Sequence, residues 1–259
     1  MKRNVTCGIY PLLAVILSLA LLLSACASAP QTVRLPEIPA MHSIGEVQDE
    51  YLAQSQDPWV GFNKNMYKFN FYMDKYALLP VVSGYEFITP DFVQERISCF
   101  FNNLREVRNI TNNIFQLKGK HTLKSLSRFV VNSSIGIGGL FDPATELGLE
   151  ERREDFGQTL GYWGAAPGPY LILPLVGPSN VRDTSGFVVD TSIQMAIKFA
   201  IDPFSGVDNS WLIDGGMTML EGIDKRHLTK FRYHDSSYPF EYEMLRYLYG
   251  KKREIEIRQ

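Results

Sequence analysis

From Asp57 onward the apolar residues recur at helical spacing, and this restricts the chain to a mainly helical fold. Phe62, Met66, Phe69, Met73 and Tyr76 step by four and three in turn, one face of a helix that opens at Asp57-Pro58. Asn63, Asn70 and Asp74 lie beside that stripe. A second helix is predicted from Thr89-Pro90-Asp91, carrying Val93, Ile97, Phe100 or Phe101, and Leu104. A third piece holds Ile110, Ile114 and Leu117, with Gly119 as its stop, and Leu123, Leu126, Phe129 and Val130 mark a fourth. Further helices are expected over 183–201, 208–228 and 239–249, the last ended by Lys251, Lys252 and Arg253, whose charge suits a helix's carbonyl end. Long β-type alternation is scarce. Only residues 132–180 interrupt the pattern, where Gly and Pro are dense around the apolar pieces Ile135 to Phe141 and Tyr170 to Val176. Such a stretch suits either tight packing around a narrow opening or buried loops between helices.

The first residues are a processing segment rather than part of the fold. Lys2 and Arg3 precede an apolar run, Leu12 to Leu23, that is shorter than the roughly 20 residues a spanning helix needs. Leu23-Ser24-Ala25-Cys26 follows and has the form of a bacterial lipobox, with Cys26 as the lipid-attachment site. Ala27, rather than Asp, comes next, a pattern similar to lipoproteins passed onward to the outer membrane. Residues 1–25 are therefore expected to be a signal peptide, 26–56 a lipidated tether containing Pro30, Pro36 and Pro39, 57–250 the helical domain, and 251–259 a short basic tail. Of the three cysteines, Cys7 leaves with the signal and Cys26 is acylated. Cys99, among Ile97, Phe100 and Phe101, reads as a small buried hydrophobe.

Charge and motifs narrow the function. Twenty-six Lys and Arg against 28 Asp and Glu leave no basic excess to neutralise phosphates along a nucleic acid. No nucleophile elbow, phosphate-binding loop or zinc-helix motif occurs, and Gly136-x-Gly138-Gly139 does not fit a dinucleotide fingerprint. His121, His227 and His234 have no partners at metal-ligand spacing, and no metal, cofactor or catalytic residue is expected. The aromatic load is more telling: 16 Phe, 13 Tyr and three Trp make 12% of the chain. These rings suit a plain aromatic core, or amphipathic helices at a membrane boundary, and periodicity does not separate the two.

Four segments in one order carry a resemblance: Asp57 to Asn70 (DPWVGFNKNMYKFN), Arg128 to Phe141 (RFVVNSSIGIGGLF) with Asp142-Pro143-Ala144, Glu154 to Gly164 (EDFGQTLGYWG), and Gly168 to Asp183 (GPYLILPLVGPSNVRD). Together they closely resemble the VacJ/MlaA family of outer-membrane lipoproteins, over about Asp57 to Tyr249. The chain departs from that pattern at Val60 and Lys64, where the family usually has Glu and Arg, and in its short basic end.

The resemblance implies an all-α, ring-shaped bundle of amphipathic helices lying in the inner leaflet of the outer membrane, around a central phospholipid channel. It implies removal of misplaced phospholipid from the outer leaflet toward a soluble periplasmic carrier of the Mla system, beside a trimeric porin. On this reading Phe62 and Asn63 set the first helix against the channel wall, or simply pack its start. Gly136, Gly138, Gly139 and Asp142 shape the channel or its edge. Tyr162, Trp163 and Tyr170 anchor at the membrane interface. Arg182, with Asp183, makes either a structural pair or a head-group contact. A scaffold lipoprotein that holds porins without transporting lipid, and a lipid hydrolase, are the competing classes.

Overall fold

The computed structural model describes residues 57–201, 210–234 and 240–259; the lipobox, Cys26 and the tether lie outside them. In chain order the elements are α1 (Val60–Met73), a π-helical turn (Asp74–Leu78), α2 (Leu79–Ile88), α3 (Asp91–Phe115), α4 (Gly119–Ser134), α5 (Pro143–Glu146) and α6 (Phe156–Tyr162). Two short strands follow, β1 (Tyr170–Leu173) and β2 (Gly177–Asn180), then α7 (Val181–Ile201), α8 (Ser210–Leu228) and α9 (Glu241–Arg258). The strands pair antiparallel with Tyr170 opposite Asn180.

Four boundaries differ from the sequence reading. The second and third patterned pieces are one helix, α3, and the break comes at Leu117, which takes φ 56° while the Lys118 N–H donates to the Asn113 carbonyl at 3.0 Å. Gly119 opens α4 instead of ending its predecessor. The apolar piece starting at Tyr170 is a hairpin strand, whose four residues are too few to show a period. Residues 251–258 are not a tail but the last turns of α9, because Arg253 is drawn inward by Asp155 and Asp183.

The faces of the helices are inverted relative to a water-soluble protein. On α1 Phe62 and Phe69 of the apolar stripe are exposed and Met66 packs beside the aromatic cluster, while Asn63, Tyr67 and Asn70, and then Asp74, are buried at the same helical spacing. α4 shows Leu123, Leu126 and Val130 outward and buries Ser125, Arg128 and Asn132. α3 exposes Phe92, Val93, Leu104, Ile114 and Phe115 and buries Glu106, Asn109, Asn112 and Asn113. The buried hydrophobic set among the described residues is short: Tyr67, Phe71, Val82, Phe101, Ala144, Tyr170, Ile172 and Tyr242. Only Tyr67, Tyr170, Ile172 and Tyr242 form a cluster. The buried polar and charged set is far longer. Unpaired, such groups are costly, so their partners hold the fold together.

The elements touch in a closed circuit. α1 runs through the π-helical turn to α2, which meets α8; α8 meets α3, α3 meets α6, α6 meets α7, and α7 returns through β2 and β1 to α1. α4 lies along α3, and α9 spans α6 and β2. The α6–α7 crossing is a backbone contact: a Cβ on Gly186 would collide with the Gly157 amide nitrogen, so both helices need glycine there.

The hairpin is held by amides from α1. Asn63 donates to the Tyr170 carbonyl (3.0 Å) and accepts from the Ile172 N–H (2.8 Å). One heptad on, Asn70 donates to the Leu173 carbonyl (2.9 Å) and accepts from the Leu175 N–H (2.8 Å). Each side chain supplies one donor and one acceptor, as a neighbouring strand would: Asn63 along the edge of β1, Asn70 at its end and in the turn that follows. Asn63→Ala should therefore lower unfolding stability in detergent by about 2–3 kcal/mol, since it leaves two buried backbone groups unmatched; a loss under ~0.5 kcal/mol in a denaturant melt would contradict the clamp.

Candidate functional site

The inward stripes of α1, α3 and α4 build a polar interior, and α3 is its spine. Ser98 bonds Asp224 of α8. Arg128 of α4 donates to Glu106 (2.6 Å), Asp142 (3.0 Å) and Thr145 (3.0 Å), which joins α3, α4 and α5 through one guanidinium. Asn112 donates to Asp190 of α7 (2.9 Å) and accepts from Thr159 of α6 (2.8 Å), while Gln116 reaches Glu154 at 2.9 Å. Arg226 grips Asp74 with both nitrogens, the Nη2 contact at 2.7 Å. The last α9 turns close a second hub, in which Arg253 donates to Asp155 (2.7 Å) and Asp183 (2.9 Å). Burial pushes both carboxyls up, but the hydrogen bonds and charge of Arg253, joined by Gln158 at Asp155 and by Arg182 and Tyr249 at Asp183, together hold them below the ordinary range.

Each residue singled out in the sequence now has a place. Asn63 is fully buried in the hairpin clamp, and its amide also donates to Asp57 at 2.8 Å. Asp57 does not cap α1, which begins at Val60; its carboxylate is taken by Asn63, Tyr242 and Arg246. Phe62 is half exposed and lines an apolar recess of about 470 Å³ with Trp59, Leu171 and Val181. Lys64 reaches Glu243 of α9 at 3.3 Å and lies over the Tyr242 ring.

Gly136, Gly138 and Gly139 form the turn that ends α4. The Gly139 N–H returns to the Asn132 carbonyl at 2.8 Å, and a Cβ at Gly139, whose φ is +91°, would sit 2.7 Å from Asn103. The turn leaves Ile135 and Ile137 exposed. Asp142 caps α5 by accepting from the Thr145 N–H at 3.1 Å. Burial pushes its carboxyl up, but Thr145, Asn132 and Arg128 hold it below the ordinary range. Asp142 also borders a half-open recess of about 310 Å³ with Glu95, Arg96 and Phe141. Cys99 reaches the same recess and is half-buried, so it is not the fully enclosed hydrophobe expected.

The three expected interface aromatics divide. Tyr162 and Trp163 are exposed, with the Trp163 indole N–H on the Phe115 carbonyl at 3.0 Å. Tyr170 is not at a surface: it is 5% exposed and packs edge-on against Tyr242 and Tyr249, because its strand position faces the aromatic cluster. Arg182 is buried and bonds Asp183 at 2.9 Å, the structural alternative of the two considered. Among the histidines, His234 is buried between Tyr67 and Phe71, and burial pushes its imidazole down.

Several interior residues were missed from sequence: Glu106, Asn109, Asn113 and Gln116 on and after α3, Arg128 on α4, and Arg253 on α9. The signal was present. Glu106, Asn109, Asn113 and Gln116 step by three, four and three, as regularly as any apolar stripe. No described helix is long and apolar enough to cross a membrane, and no described cluster of His, Cys, Asp or Glu could hold a metal ion.

Comparison with known proteins gives one answer. A family model described as MlaA lipoprotein matches residues 55–256. An uncharacterized protein of Rickettsia typhi is 41% identical over 147 residues, 57% of this chain and 56% of its own, so the match spans about half the length of that relative. The intermembrane phospholipid transport system lipoprotein MlaA of Shigella flexneri is 30% identical over 203 residues, 77% of each chain. A solved structure described as the structural basis for maintenance of bacterial outer membrane lipid asymmetry matches with a TM-score of 0.63 and 29% identity, covering 78% of this chain and 99% of that one. Sequence and fold agree along most of its length, and the chain belongs to the MlaA lipoprotein family.

Proposed function

We propose that this protein is an outer-membrane lipoprotein, anchored through Cys26, whose helices lie in the inner leaflet and shelter a polar route for phospholipid head groups. It removes misplaced phospholipid from the outer leaflet and passes it to a soluble periplasmic carrier, which keeps the two leaflets different. A trimeric porin beside it and the Mla carrier are the expected partners. The relatives' naming as phospholipid transport lipoproteins and the solved structure's concern with lipid asymmetry support this reading.

The observation that carries it is the inversion of faces. Phe69, Phe87, Leu123, Leu126 and Val130 are exposed, while asparagines, glutamines and ion pairs fill the inside. Bare rings and branched chains are costly in water and favourable against acyl chains, so such helices belong at the edge of a monolayer. A head group crossing hydrocarbon loses its hydration, and a polar interior lowers that barrier without covalent chemistry. Irregular backbone such as the Gly136–Phe141 turn is tolerated at membrane depth where it is buried in protein or lines a cavity. Tyr162 and Trp163 suit the wet boundary of that layer. The chain needs no catalytic residue for this task.

A strain lacking the protein should accumulate phospholipid on the cell surface, measured by accessibility to an external acyltransferase or phospholipase. Gly139→Val should do the same while remaining in the outer membrane at normal abundance, because its Cβ displaces Asn103 and the left-handed φ resists a side chain. Gly138→Ala, with open space around it but φ +70°, should have a smaller effect, corresponding to about 1 kcal/mol of local strain. Unchanged surface phospholipid in the deletion strain would leave the scaffold role instead.

A further inference from the structure

The polar interior is not neutral everywhere. Arg105 and Arg108 stand one turn apart on α3, and Lys225 projects from α8, the helix that α3 meets. Arg105 is held in place by acids of α8: its Nη2 lies 3.6 Å from Asp224 and its Nε 3.8 Å from Glu221, both beyond hydrogen-bond length. Asp224 accepts from Ser98 through Oδ1, while the Oδ2 that faces Arg105 has no hydrogen-bond partner. Arg153, in the segment before α6, is spent on Glu151 at 3.1 Å. Asp190 lies within electrostatic reach of Arg108 but accepts from Asn112 and the Phe156 N–H.

Two donors are thereby left over. Arg108 Nε is buried with no hydrogen-bond acceptor, and Arg105 Nη2 has none either, only the Asp224 carboxylate at 3.6 Å. Lys225 is exposed to solvent, yet burial, together with Arg108 and Arg105 beside it, pushes its ammonium down. Structural arginines normally satisfy their N–H groups within the fold; cations that face one another with idle donors are arranged for an anion that comes and goes.

We infer that Arg105, Arg108 and Lys225 form a site for the phosphodiester of a lipid head group. This rests on the proposed transport role and adds what part of the lipid is read: the phosphate, by two guanidiniums fixed on one helix and an ammonium from another. Recognition through the phosphate is indifferent to the alcohol beyond it, so the site takes phosphatidylglycerol and phosphatidylethanolamine alike and rejects diacylglycerol.

The test uses the full lipoprotein in detergent micelles and two radiolabelled probes with the same tails, dioleoylphosphatidylglycerol and dioleoylglycerol. The native protein should favour the phosphorylated lipid by at least about tenfold. Arg108→Gln with Lys225→Gln should reduce that preference to below about twofold, whereas Arg108→Lys with Lys225→Arg should retain most of it. Should the double glutamine variant fail to fold, Lys225→Gln alone, at an exposed position, should still lower the preference about threefold. A native preference that survives the glutamine variants overturns this site and leaves the transport reading intact. Absence of any lipid binding by the native protein overturns both. Displacement by inorganic phosphate, but not by chloride at equal ionic strength, would make free phosphate the ligand and overturn the lipid assignment.

Discussion

Arg253→Ala is expected to cost about 3–5 kcal/mol of unfolding stability, measured by denaturant titration in a mild detergent. The guanidinium is the only described cation that bonds both Asp155 and Asp183. Removing it leaves the half-buried Asp155 without a cation and the buried Asp183 with Arg182 alone, and a carboxylate stripped of its partner in the folded interior is far more costly than the intact pair is favourable. Asp183 would keep Arg182, Tyr249 and Asn180, whereas Asp155 would keep only its cap contacts with Gln158. The loss should therefore fall first on the α6–α9 contact.

The pH dependence of that stability has a definite sign. Both carboxyls titrate below their ordinary range in the folded protein, so their contribution is complete above about pH 4–5 and disappears as the pH falls through their lowered values. In Arg253→Ala both groups lose their largest hold, so burial moves them upward, Asp155 more than Asp183, which keeps Arg182 and Tyr249. The gap between native protein and variant should narrow on acidification. A gap that widens would show that Arg253 does not stabilise through these two acids.

The second large effect concerns the outer faces. Leu123→Asp with Val130→Asp changes two side chains that are 64% and 54% exposed, on the side of α4 opposite Ser125, Arg128 and Asn132. Neither touches the interior network, so the melting temperature in detergent should stay within a few degrees. Partition onto neutral phosphatidylcholine vesicles, measured with Cys26 replaced to remove the acyl chains, should fall at least about 100-fold. Each large side chain immersed in hydrocarbon contributes about 1.5–3 kcal/mol, and each 1.4 kcal/mol is tenfold in partition. Unchanged vesicle binding would mean that this face meets another protein rather than lipid.

The helical class of the fold was legible because 3.6-residue periodicity survives whichever way a helix faces. Direction was not. Phe62, Met66, Phe69 and Met73 read the same whether they point into a core or into acyl chains, and hydropathy along α1 does not choose between the two. What chooses is the opposite stripe. Asn63, Asn70 and Asp74 are small hydrogen-bonding groups with partners more than a hundred residues away, and such partners are invisible to local pattern. Separations of 98 and 70 residues hid Arg253, which reads as a basic end until Asp155 and Asp183 are folded against it. The hairpin escaped because its edge is satisfied by side chains of a helix rather than by a third strand, so no strand pattern announces it. The glycine turn after α4 was legible as a break, but its tie to Asn103 was not.

The π-helical turn at Asp74–Leu78 has an effect beyond its five residues. Along α1 the inward positions fall at 63, 67, 70 and 74, and a regular helix would bring residue 77 and then residue 81 inward. Instead Val81 is 49% exposed and Val82 is 3% exposed, because the wider turn accommodates one extra residue. Loss of a single residue here would rotate all of α2 by about 100° relative to α1, turning its inward side away from the interior. Length, more than identity, is what this stretch must preserve: most substitutions would be absorbed, while an insertion or deletion of one codon would scramble everything that α2 presents.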